Sequence, residues 1–187
     1  MSAPAKSQDT HFSDYIKLLV QLADLMRRGF GDDDEAELVR DRMDVHWYEL
    51  DPATLKIVRG LSADLYSIGV ERPQQGTIES NVAKQLHAMI DAANWSAALD
   101  MVREHAAALP PDEVAGLRGI CWQGLGQNEA ASVFFKEAMR INPRAAKFEI
   151  PRLWMLVRSG QIEAAVAVAQ ALPSDAWSKF IFMQHNP

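Results

Sequence analysis

From residue 78 onward the chain repeats itself at an interval of 33 to 34 residues, and a repeat of that length limits a chain to stacked supersecondary units. The clearest copy reads Gly119-x-x-Trp122-x-x-x-Gly126-x-x-x-x-Ala131-x-x-x-Phe135-x-x-Ala138 and closes at Pro143. Thirty-three residues earlier the same slots hold Leu86, Met89, Ala93, Ala98, Val102, His105 and Pro110. Thirty-four residues later they hold Leu153, Leu156, Gly160, Ala165, Ala169 and Leu172, with Pro173 a few residues early. Large apolar residues, small residues and prolines thus recur in register.

The pattern predicts antiparallel helix pairs. Gly126 and Gly160 end a first helix and let the chain reverse. Ala131 and Ala165 mark a close crossing, where a larger side chain would force two helices apart. Trp122 and Phe135 fill the space between a pair and its neighbour, and Pro143 stops the second helix. One pair cannot bury its apolar face alone, so pairs stack.

The middle copy resembles a tetratricopeptide repeat. Gly119, Trp122, Gly126, Ala131, Phe135, Ala138 and Pro143 all fall on that family's preferred residue types. Ala115 and Arg118 depart from it, since the family has a large apolar residue and a leucine there. The flanking copies are degenerate: the first has Ala93 for the turn glycine, and the third has Pro151 in its first helix. Pro151 implies either a helix that starts late or one that kinks. The resemblance covers about 78–173. It implies a further helix from Ser174 to about Gln184, carrying Trp177, Phe180 and Ile181, that shields the last repeat.

Ahead of the repeats, three helices are expected. Ser13 caps the first, which runs to about Arg28 with Tyr15, Leu18, Leu19, Leu22, Leu25 and Met26 on its buried stripe. Gly29 and Gly31 end it. The second runs from about Glu35 to Leu50 behind the acidic run Asp32 to Glu35, burying Leu38, Met43, Trp47 and Leu50. Asp51-Pro52 reads as cap and first helical residue of a third helix reaching about Ile68. Its buried residues are Leu55, Val58, Leu61, Leu65 and Tyr66. The stretch Met43 to Tyr66 is similar to segments that precede repeat-like helices in bacterial proteins. The expected fold is therefore all-α: a disordered tail at 1–11, a helical subdomain at 12–68, a linker at 69–77, and about three tetratricopeptide-like pairs with a capping helix at 78–184.

Composition removes several function classes. Residues 1–77 carry 9 basic and 14 acidic side chains, and residues 78–187 carry 10 and 11, so the net charge of −6 offers no basic surplus for nucleic acid. The longest apolar segment, Ile16 to Met26, contains Lys17, Gln21 and Asp24 and is too short for a bilayer. One cysteine and a start without a signal-peptide pattern suit a cytoplasmic protein. The five histidines, His11, His46, His87, His105 and His185, are not paired at ligand spacing, so neither metal nor cofactor is expected. Cys121 reads as a packing residue, and no phosphate loop or nucleophile motif occurs, so the chain is read as non-catalytic.

What remains is binding. The resemblance implies a concave groove lined by Lys84, His87 and Asp91, then Ile120 and Gln123, then Lys147, Trp154 and Arg158. Five basic residues lie between Arg140 and Arg158 against one acidic, Glu149, so an acidic peptide with Trp154 as its apolar anchor is the expected ligand. The slots of the family's carboxylate clamp hold Ala83, His87, Gly116 and Ile120, so that clamp is absent. A module that holds a peptide or helix of a partner is the leading reading. A self-assembling structural subunit and a secretion-type chaperone are the alternatives.

Overall fold

The structure is a computed structural model that describes residues 5–70, 79–143, 149–158 and 160–172. The described residues form nine α-helices and no strand, so the chain is all-α. They divide into two compact units, Met1–Glu71 and Arg72–Pro187.

The first unit holds α1 (Ala5–Arg27), α2 (Asp34–Trp47) and α3 (Pro52–Tyr66). Helix α1 extends upstream of the expected start, into the stretch read as a disordered tail, and Ser13 is an exposed interior residue rather than a cap. The packed face continues past Ser13: Phe12 is half-buried, and His11 meets His46 of α2. Serine costs a helix interior only a few tenths of a kcal/mol, about 0.5, so this packing overrides the capping preference. Tyr15, Ile16, Leu18, Leu19, Leu22, Ala23 and Leu25 are buried, while Met26 is exposed. Gly29 ends the helix in the left-handed region (φ +85°), and the Phe30 amide donates to the Leu25 carbonyl at 2.9 Å.

Helix α2 begins with Asp34, Glu35 and Glu37 in its first turn, where the helix dipole favours negative charge. It buries Ala36, Val39 and Met43, with Leu50 behind them. Leu38, expected on that face, is 63% exposed. It lies about 100° in rotation from Val39 and about 200° from Ala36, which turns it away from the row that α1 covers. Helix α3 starts as the sequence predicts: Asp51 Oδ1 accepts from the Ala53 and Thr54 amides at 2.8 and 3.0 Å, and Pro52 follows at the first position. Val58, Leu61 and Leu65 are buried, Leu55 is half-buried and Tyr66 is exposed. Trp47 is half-buried too, its ring 5.7 Å from Tyr15 and under the Arg59 guanidinium.

The described residues of the second unit form three helix pairs: α4 (Ser80–Asp91) with α5 (Trp95–Glu104), α6 (Pro111–Gly124) with α7 (Asn128–Ile141), and α8 (Glu149–Arg158) with α9 (Ile162–Ala171). One turn joins each pair. Ala93, Gly126 and Gly160 are left-handed, with φ of 55°, 78° and 73°. The following amides, Asn94, Gln127 and Gln161, donate to Met89, Trp122 and Leu156 carbonyls at 2.8, 2.8 and 2.9 Å. The same three residues have nearly equal backbone angles, φ −86°, −89° and −82° with ψ 64°, 69° and 62°. Each then opens the next helix by accepting from Ala98, Ala131 or Ala165 at 3.0, 2.9 and 3.0 Å. The sequence interval is therefore also a backbone interval.

Ala98, Ala131 and Ala165 are all buried, as are Trp122, Phe134, Phe135 and Ala138. A Cβ on Gly119 would come within 2.5 Å of the Phe135 ring, so α6 and α7 meet through a glycine against an aromatic face. A Cβ on Gly124 would overlap the Trp95 ring, which binds α5 to α6 in the same way. Pro151 falls in the first turn of α8, where a missing amide costs nothing, so this helix starts late rather than kinking. Pro143 lies in the turn after α7. Lys147 and the segment Ser174 to Gln184, with its expected capping helix, lie outside the described residues, as does most of the 69–77 linker.

Candidate functional site

Apart from Lys147, which lies outside the described residues, the expected groove residues fall on the first helices of the three pairs. On α4, Lys84, His87 and Asp91 are exposed. His87 Nδ1 is 2.7 Å from the Ala83 carbonyl, which only accepts, so Nδ1 carries the proton and Nε2 is left to face solvent. On α6, Gln123 is half-buried, and its Nε2 donates to the Pro151 carbonyl of α8 at 3.1 Å. Gln123 is thus a link between the second and third pairs instead of an open groove donor. Ile120 is half-buried on the same helix. Trp154 and Arg158 belong to α8, but their side chains are outside the described residues.

The basic patch is partly engaged within the chain. Arg140 Nε and Nη2 donate to the Glu137 carboxylate at 2.8 and 2.9 Å in a two-pronged pair. Arg152 Nη1 lies 3.6 Å from Glu149 Oε2 and 3.7 Å from Met139 Sδ. Burial raises the Glu149 pKa, and the Arg152 charge works against that rise. Arg140 is exposed but already ion-paired, and Arg152 is half-buried beside Glu149.

The thiol and the carboxylates weighed from sequence lie on or beside helices. Cys121 is buried beside Trp122 in α6. Asp51 is a helix cap, and Asp44 and Glu49 are exposed. Among the described residues no three metal-ligating side chains converge. Nor is any described helix long and apolar enough to cross a membrane.

Sequence reasoning missed three features. His11 and His46, on α1 and α2, place their Nδ1 atoms 3.0 Å apart with ring centroids at 5.3 Å, so one ring donates and the other accepts. No local spacing signals a pair so distant in the chain. Asp64 is buried in α3. Arg118, the departure from the leucine slot, is also buried. No family of known proteins, no curated protein and no solved structure matches the chain.

Proposed function

We propose that the second unit is a tetratricopeptide-like, non-catalytic interaction module that holds a peptide or helix of a partner protein along the first helices of its pairs. The observation that carries this reading is the turn repeated at Ala93, Gly126 and Gly160, with matching backbone angles and hydrogen bonds. Identical turns give each pair the same internal reversal, and pairs of one geometry suit stacking with their first helices side by side along one face. Lys84 and His87 stand exposed on that face, and an acidic segment suits them. A single cysteine suits a reducing compartment, and we place this role in the cytoplasm on that ground.

The test is affinity capture from the native lysate with wild type beside a Lys84/His87/Trp154/Arg158 tetra-alanine variant. A protein retained by wild type and lost by the folded variant supports the reading and identifies the partner. Recovery of the protein alone from both sinks it and favours self-assembly. One observation favours that second reading: Ile162 and Val166, one turn apart on α9, are exposed.

A further inference from the structure

We propose that the outward face of α2, centred on Leu38 and Val45, is a docking surface for a basic amphipathic helix of another protein. This surface belongs to the first unit and does not depend on the groove.

Helix α2 has two apolar rows. Ala36, Val39 and Met43 face inward and are buried. Leu38 and Val45, seven residues apart, stack two turns from each other on the opposite side. Tyr48, the residue after the helix, is exposed about 60° round from Val45 and widens the apolar face. These residues are 63%, 66% and 81% exposed, the three most exposed large apolar side chains among the described residues. Single exposed leucines need no explanation, but an aligned row on one short helix is the form in which helix-in-groove and helix-on-helix contacts are made.

The charge around the row selects the occupant. Asp34, Glu35, Glu37, Asp41, Asp44 and Glu49 are exposed carboxylates on or beside α2. Arg42 is the exposed basic residue of the helix, while Arg40 is half-buried and turned to the Gly31 carbonyl and Glu37. A partner must therefore bring apolar residues at three, four and seven, flanked by lysine or arginine. A second copy would set one carboxylate row against another, and anionic lipid or nucleic acid would be repelled in the same way.

The experiment uses the full chain and a labelled synthetic helix with leucines at heptad spacing and lysines and arginines on both flanks. Its control is a scrambled peptide of identical composition. Anisotropy titrations are expected to show at least about tenfold tighter binding of the amphipathic peptide. That preference should vanish in a Leu38→Ser/Val45→Ser variant with unchanged circular dichroism, and hydrogen exchange should slow over residues 34–47 of the wild type. Equal binding of both peptides, or slowed exchange confined to other helices, overturns the proposal. So does a preference for the amphipathic peptide that persists unchanged in the Leu38→Ser/Val45→Ser variant. A fall in the mass of the free protein on making the variant would assign the face to a second copy instead and equally overturn it.

Discussion

The two units bury their cores by opposite means. The first packs large aliphatic residues, Ile16, Leu19, Leu22, Leu61 and Leu65, between three helices of unequal length whose ends are each made differently. Gly29 stops α1, acidic residues start α2, and the Asp51 carboxylate starts α3. The second sets Gly119 against Phe135 and Gly124 against Trp95, buries alanines at its crossings beside large aromatics, and uses one turn three times. Small-against-aromatic packing brings backbones close and tolerates little added volume. Aliphatic packing has more ways to readjust. Damage should therefore be sharp and local in the second unit and graded in the first.

Ala131→Leu tests that contrast hardest. It adds three carbons at a fully buried crossing, and a loss of about 3 kcal/mol is expected in the second unit. Denaturation followed by residue-resolved hydrogen exchange should find the first unit unaffected, and an unchanged second unit would disprove the close crossing. Gly119→Ala comes next, at about 2 kcal/mol, because its Cβ would press on the Phe135 ring. Phe135→Leu makes room, so the double variant should lose less than the two single losses together, and a double-mutant cycle measures the coupling.

The turns give a smaller effect of predictable sign. Gly126→Ala forces a side chain into the left-handed region and should cost about 1 kcal/mol, although its Cβ would touch nothing. Ala93 already bears that strain, so Ala93→Gly should stabilise by about 0.5 kcal/mol once the greater freedom of unfolded glycine is subtracted. Opposite shifts in denaturant midpoint confirm the shared turn, and shifts of one sign refute it.

The mildest change is electrostatic. The Thr54 hydroxyl, the Thr54 amide and the Ala53 amide hold the Asp51 carboxyl below its usual pKa. A depressed folded pKa means stability that is present above the unfolded value and lost as pH falls through the folded one. Asp51→Asn keeps an acceptor but removes the titration, so the acid limb of the first unit's stability curve should flatten. A limb identical to wild type would show that the cap contributes nothing as an anion.

Much of the second unit was legible because its information is local. A glycine at a left-handed turn, an alanine at a crossing and a proline at a boundary each state a backbone requirement in place. Repetition then checks one copy against another, so Ala93 could be assigned to a turn without its glycine. The first unit offers no such check. Leu38 and Val39 begin two equally helical apolar rows, and only the position of α1 decides which is covered. His11 and His46 carry no shared spacing, and neither do Trp95 and Gly124, because those contacts exist only once helices cross. The groove was least legible. Gln123 sat at an outward slot by alignment, yet the late start of α8 at its proline puts a carbonyl within its reach. Counting charge along the chain makes Arg140 and Arg152 part of a basic patch, yet each lies beside a glutamate three residues earlier.

The left-handed alanine also orders events in time. Glycine visits that conformation freely in an unfolded chain, whereas alanine does so rarely. The reversals at Gly126 and Gly160 thus meet no conformational penalty at the turn residue, while the α4–α5 reversal at Ala93 needs neighbouring helices to hold it. Folding of the second unit should form the glycine-turned pairs α6–α7 and α8–α9 first and add the α4–α5 reversal afterwards. Substitutions around Ala93 would then alter how fast the unit comes apart more than how fast it assembles.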